Sequence, residues 1–510
     1  MNPREIRDLL GSSREVTAPI VHPREVAALI ESLGYNDRYA KQSGFPDIFS
    51  LAEHLFARLP QAKPAAKVDK SGELLSLWAE TRKAMRKFSL SLAYAIPWMV
   101  MLALECLRPD ALQVSAEIGG ALSLSLIASL ISAGGFVQMI SRSGNFYYGL
   151  KEPVVAHRSC MSILNIGLTS SLFLALMGIV FGSYFQLFTA KYLALAAINY
   201  LVLSVLWMFC AVLSVQGIGW CIPLSFALSI GIGCLIKILT DPGAVFLLVL
   251  CPVLAVLFAF ACVQVGSYYA ERQHAGNKGS AQPRFAVMLT SLVPFYIYGT
   301  VYFSFLFADR LNAGSAVPWA SGLSFGIDAA YKKGTDLVLL AFLVTAALVE
   351  YLGDSFLRFW QRLAAELPQT AREQLIVRLQ KRHSTSMVAI FTVFVVTALG
   401  ALIAFSRLGS FAPVPRLLQT AAFAGLGYLV LSLALLETII LVSVNAIRRA
   451  VLAVGLGVGV NLITGYGLSH LGGVQYAAVG LLAGSAVVLW KCNVAVRQVL
   501  HHPDYRYSIS

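Results

Sequence analysis

From Phe88 to its end the chain alternates long apolar runs with short polar breaks, and the runs are too long for the core of a soluble domain. Stretches of roughly 18 or more apolar residues match a bilayer core of about 30 Å. Backbone placed in hydrocarbon finds no water, so each run has to be a helix. Twelve spans are predicted, at about 88–107, 114–139, 160–185, 191–214, 216–237, 243–266, 285–308, 335–352, 385–405, 416–443, 449–469 and 474–491. Before Phe88 the pattern changes to short helical stripes. Val26, Leu29, Ile30 and Leu33 precede Gly34 as a helix stop, and Ile48, Leu51, Ala52, Leu55 and Phe56 follow Asp47 as an N-cap and end before Pro60. The stripe of Phe356, Trp360, Leu363 and Leu367, studded with Arg358, Arg362 and Glu366, predicts an amphipathic helix lying on the inner membrane surface.

The fold class is therefore an all-α polytopic membrane protein with a small soluble helical segment at its N-terminus. Its expected parts are a cytoplasmic helical module and linker (1–86), a six-helix lobe (87–270), a cytoplasmic linker (271–284), a second six-helix lobe (285–495) and a cytoplasmic tail (496–510). Met1 to Leu10 is charged and shows no cleavable signal, so the first apolar run is expected to direct insertion.

Composition agrees: 57% of the 510 residues are hydrophobic and only 13% charged, with a mean hydropathy of +0.71. The net charge of +13 does not mark a nucleic-acid partner, because Lys and Arg lie in short loops between apolar runs. With the N-terminus inside, about 21 basic residues flank the inner ends of the spans against 8 at the outer ends, which places both termini in the cytoplasm of an inner-membrane protein. The eight cysteines sit in or beside apolar runs with no CxxC, as small packing residues do. No phosphate-binding Gly-Lys loop and no His/Cys set with metal-ligand spacing occurs, so neither a cofactor nor a metal is expected, and no catalytic residue is assigned.

Two halves emerge when the first run is set beside the seventh. Lys87-Phe88, Leu92, Ile96, Pro97 and Trp98 correspond to Arg284-Phe285, Leu289, Val293, Pro294 and Phe295 at a constant offset of 197. Paired prolines remove a backbone hydrogen bond at matching places in two halves, the pattern of helices that bend around a transport cavity, and Pro97 and Pro294 are the kink candidates.

The segment Pro294-Phe-Tyr-Ile-Tyr298-Gly299-Thr-Val-Tyr302, closed by Phe307-Ala-Asp309-Arg310-Leu, together with the twelve-span layout, resembles the multidrug/oligosaccharidyl-lipid/polysaccharide (MOP) flippase superfamily and, within it, the PelG-type transporters of Pel exopolysaccharide systems. That resemblance implies a MATE-like pair of lobes around a central cavity. It further implies passage of a polysaccharide or lipid-linked sugar, beside a cytoplasmic glycosyltransferase and small membrane subunits.

Ionisable and polar groups inside spans are costly and are candidates for function. Glu437, in an otherwise apolar run, is expected to take a proton, bind a cation or touch a sugar, or else to pair with Arg448 or Arg449. Asp309 and Arg310 stand at the outer end of the seventh span, as an ion pair or at an exit. Tyr298 and Tyr302, four residues apart on one face, suit stacking on sugar rings or plain packing; Asn461 offers hydrogen bonds to a sugar or to another helix. Gly455, Gly457, Gly459 and Gly465 permit close helix approach. The leading reading is a non-enzymatic flippase-type transporter, with membrane lipids and a sugar substrate as partners. The alternatives are a cation-coupled small-molecule antiporter, a membrane-embedded glycosyltransferase or polymerase, and a scaffold that docks a synthase through the N-terminal module.

Overall fold

A computed structural model describes residues 37–42, 44–58, 115–150, 152–240, 242–273, 285–317, 325–326, 328–366, 372–407 and 415–501. Among the described residues there are thirteen α-helices, one short 3₁₀ turn and no strand. Eleven of the helices are long and apolar enough to cross a membrane. The chain is a multi-pass helical membrane protein. The predicted span at 88–107, Pro97, the helix around Arg24–Leu33 and the tail beyond His501 lie outside the described residues.

The chain divides into two compact units, residues 1–84 with 358–379, and residues 85–357 with 380–510. In the first, α1 (Asp37–Gln42) leads into α2 (Ile48–Arg58). The Asp47 carboxylate accepts from the Ser50 backbone N–H and hydroxyl, both at 2.7 Å, as an N-cap does, and Asp37 accepts from the Ile48 N–H at 2.9 Å. Those donors, the Ser50 backbone first, hold the exposed Asp47 carboxyl below its usual pKa. The predicted helix from Asp47 is present, whereas α1, only six residues long, has no periodic stripe to betray it.

In the second unit, α3 (Ala116–Gly149), α4 (Pro153–Tyr184), α5 (Ala190–Val215), α6 (Cys221–Thr240) and α7 (Ala244–Gln273) form one group. The other group is α8 (Phe285–Ser315), α9 (Ala329–Glu366) as far as Leu357, α10 (Arg372–Arg407) from Gln380, α11 (Pro415–Ser443), α12 (Ile447–Gly472) and α13 (Ala477–His501). Apolar windows placed these helices correctly but undersized several. The predicted 335–352 is the middle of 38-residue α9, and 385–405 the end of 36-residue α10. No separate surface helix begins at Phe356: α9 runs through it to Glu366, with Phe356, Trp360 and Leu363 buried. The apolar stripe there marks a packed face, which on periodicity alone is indistinguishable from a face resting on lipid headgroups.

Helix ends use one device repeatedly. After α1, α4, α5 and α11 the chain bends back with paired i+5 and i+3 hydrogen bonds around a single left-handed residue: Gly44, Gln186, Gly217 and Asn445, at φ of 85°, 52°, 74° and 57°.

Polar seams and glycines set the packing. Ser125, Ser129 and Ser132 line one face of α3 and bond Asn199, Trp207 and Tyr200 of α5 at 2.7, 3.2 and 2.8 Å. Between α12 and α13 the backbones nearly touch: a Cβ on Gly480 would stand 2.6 Å from the Gly465 Cα, and one on Gly484 2.7 Å from the Gly457 carbonyl. Gly455 and Gly459, the pair with the familiar four-residue spacing, face open space. The two groups meet where α3 crosses α8. A Cβ on Gly299 would collide with the Gly134 carbonyl, and the Arg142 guanidinium lies 5.0 Å from the Phe295 ring centroid.

Candidate functional site

Glu437 stands six residues before the end of α11 and is completely buried. Its partner is neither Arg448 nor Arg449; Arg449 bonds Gln498 instead, at 3.0 Å. Oε1 of Glu437 accepts from Nε2 of His383 on α10, 3.1 Å away, and from the side-chain amide of Asn493 on α13 at 2.9 Å. Oε2 has no hydrogen-bond partner among the described residues. A carboxylate in that position loses its hydration and regains two of the donors an anion needs, so the site holds an ionic group at the edge of what burial allows. His383 is the less enclosed member, its side chain 13% exposed. The Phe356 ring stands edge-on beside the imidazole at 6.3 Å between centroids. Cys492 lies within electrostatic reach of the carboxylate.

Nearer the C-terminal end of α8, Asp309 and Arg310 are neighbours in sequence whose side chains bond different residues. Successive residues on a helix diverge by about 100°, so each finds its own contact. Asp309, fully buried, accepts from the Tyr331 hydroxyl at 2.7 Å through Oδ2, while Oδ1 has no hydrogen-bond partner among the described residues. Arg310 donates to Asp336 at 2.8 Å and lies 5.3 Å from the Phe307 ring centroid; Lys332 approaches the second Asp336 oxygen at 3.3 Å. Asp328 caps α9 by accepting from the Tyr331 N–H at 2.7 Å, which fixes Tyr331, Lys332 and Asp336 in register on the first turns. Arg310, Asp328, Tyr331, Lys332 and Asp336, but not Asp309, line a pocket of about 70 Å³. Ser123, Leu126 and Ile127 of α3 close one wall, while Phe307, Arg310, Phe325, Tyr331 and Asp336 build the rest. The pocket therefore lies between the two helix groups, lined by aromatic side chains, two cations, Arg310 and Lys332, and two carboxylates, Asp328 and Asp336.

The other predicted residues occupy the helix interfaces. Tyr298 is buried and faces Thr438, next to Glu437; Tyr302 packs near-parallel to it at 6.1 Å. Asn461 is a clamp between α8 and α12: its amide donates to the Phe305 carbonyl at 3.3 Å, and its own backbone carbonyl accepts from Asn312 at 3.1 Å. Pro294 sits inside α8, and α7 contains a second interior proline, Pro252. The structure thus joins Glu437 to the Tyr298 neighbourhood, while Arg310 lines the pocket and Asp309 is buried beside it. Sequence reasoning missed His383, Asn493 and Tyr331, which lie 54, 56 and 22 positions from their partners. Among the described residues no group of three or more His, Cys, Asp or Glu is placed to hold a metal ion.

The helical arrangement is similar in fold to that of MATE transporters of known structure. A point mutant of VcmN, a MATE transporter of Vibrio cholerae, superposes with a TM-score of 0.54 at 15% identity, over 85% of this chain and 99% of that one. An outward-facing multidrug resistance MATE family transporter of the MOP superfamily superposes at 0.53 with 14% identity, over 84% and 97%. The bent form of VcmN gives 0.52 at 15% identity, over 85% and 99%. No protein-family model and no curated protein matches the sequence.

Proposed function

We propose that the chain is a flippase-type transporter that exports a polysaccharide or lipid-linked sugar across the bacterial inner membrane, with both termini in the cytoplasm and no chemistry performed on its cargo. The observation that carries the reading is the pocket between the two helix groups of a MATE-type fold. Its aromatic walls suit the C–H faces of sugar rings, and Arg310 presents several N–H donors to hydroxyl or phosphate oxygens. Asp336 is already matched by Arg310 and Lys332, so the pocket offers a cationic drug no spare pair of carboxylates. In addition, α3 to α7 bury no Asp or Glu among the described residues. At about 70 Å³ the pocket is far below the roughly 300 Å³ of a drug-sized site and has to widen in the transport cycle to take a sugar ring. The segment Pro294–Leu311, through its likeness to PelG-type proteins, points to exopolysaccharide as the cargo, with a cytoplasmic glycosyltransferase and small membrane subunits as partners.

The test is surface polysaccharide in a strain lacking the protein, complemented with wild type or with Arg310→Gln at matched membrane abundance. Wild type restores the polymer, and Arg310→Gln exports at least about tenfold less, the loss of one charge-assisted contact. Unchanged polymer in the deletion strain overturns the sugar assignment. A second reading, export of small molecules, is favoured by the multidrug resistance transporter among the structural neighbours; raised drug susceptibility with intact polymer supports it.

A further inference from the structure

We propose that His383, Glu437 and Asn493 form a proton-binding site, loaded from the cytoplasmic side, whose protonation drives the rearrangement of α10 and α11 against α8 in the transport cycle; the driving role rests on the transporter reading above. Three helices converge on one buried carboxylate. In this arrangement both neighbours donate to the same oxygen, Oε1, and leave Oε2 buried with no hydrogen-bond partner among the described residues. Such a group is poised between two states, an anion lacking donors on one oxygen and a neutral acid that needs none there.

A proton suits the site better than a metal ion. The carboxylate has one imidazole and one side-chain amide nitrogen as neighbours and no second carboxylate among the described residues, a set poor in the anionic oxygens that hold a hard cation. Proton entry also has a route. His383 lies one turn before the apolar part of α10 and is partly exposed, while Glu437 beyond it is sealed. That end of α10 is the one the Lys and Arg distribution assigns to the cytoplasm. The imidazole takes a proton from the cytoplasm at Nδ1 and passes its Nε2–H to Oε1, so the site gains one proton and the carboxylate loses its negative charge.

Few groups face the site among the described residues. Cys492 comes from α13, Phe356 from α9, and Tyr298 of α8 meets Thr438 beside the carboxylate. Arg382 bonds Ser355 at 2.9 Å and Arg449 bonds Gln498, and His383 is the basic side chain at hydrogen-bond distance from Glu437. The Tyr298–Thr438 contact links the carboxylate's state to α8, four residues beyond Pro294.

The experiment is infrared difference spectroscopy on the purified full chain in detergent, without substrate, as pH is stepped through the folded range. The expected result is a protonated-carboxyl band that grows as pH falls, is absent from Glu437→Gln, and titrates in His383→Gln at a pH at least ~1 unit higher, a tenfold change in proton affinity. The Gln at 437 keeps an acceptor for both donors and mimics the neutral acid, so that variant folds. No Glu437 band change across the range, or a band that responds to sodium at fixed pH, overturns the proton site. Full export by Glu437→Gln of whatever the wild type exports overturns the driving role. Because the spectroscopy needs no cargo, a failed sugar assignment leaves the proton site standing or falling on its own band.

Discussion

Glycines at one interface show how much a single residue decides. Gly480 and Gly484 meet the backbone of α12, so a methyl there has nowhere to go, whereas Gly455 and Gly459 face open space. Gly480→Ala is expected to destabilise the protein by about 1–3 kcal/mol, the cost of overpacking, and Gly455→Ala to be neutral or slightly stabilising. Thermal unfolding in detergent measures both. Of the four glycines singled out in the sequence, Gly457 and Gly465 meet α13 and Gly455 and Gly459 do not, because spacing along one helix does not say which face meets a neighbour. Gln186 occupies a left-handed position without being glycine. Gln186→Gly should gain on the order of 1 kcal/mol in the same assay. At Asp47, the donors that depress the carboxyl pKa stabilise α2 only while it is ionised. The cap's contribution is present above the unfolded pKa and is lost as pH falls through the lowered folded value. Circular dichroism of the full chain with Asp47→Asn, which keeps an acceptor but does not titrate, should remove that acid-side loss.

For the elements, eleven spans were legible because hydrocarbon imposes a length and a polarity on each. Their ends were not. Windowed hydropathy stops at the first charges, while α9 and α10 continue for about 57 and 54 Å at 1.5 Å per residue. Glu437 could be singled out from sequence because a lone acid in an apolar run is conspicuous. Its partners were hidden: His383 stands beside the cations of the Arg378–Arg382 stretch, and Asn493 among the polar residues that end α13. Asp309 and Arg310 invited pairing with one another or with their helical neighbours, yet helix geometry sends them to different residues of α9. Removing one member has separable effects. Tyr331→Phe removes the bond to Asp309 while keeping the ring, and should lower stability by about 1–3 kcal/mol because a buried acceptor is orphaned. Asp309→Asn in the same background should recover part of that loss, a coupling that a double-mutant cycle reads directly.

For the whole molecule, the meeting of α3 and α8 is the contact across which the two helix groups face each other. Gly299 lies flat on the Gly134 carbonyl, so Gly299→Leu wedges them apart and favours any conformation in which they separate there. Thiol labelling of a Thr300→Cys reporter should then rise several-fold over its rate with Gly299 intact. The C-terminal group adds a mechanical consequence. Its glycine seam leaves α12 and α13 no room to slide, and Asn461 and Asn312 fasten the outer part of α8 to α12. Below that fastening, Pro294 lacks the N–H that would tie its turn together. Bending along α8 is therefore confined to a short hinge around Pro294, between a rigid plank of three helices and an inner arm carried on α3 and α4 through Phe295 and Met288, with Tyr298 one turn beyond the pivot.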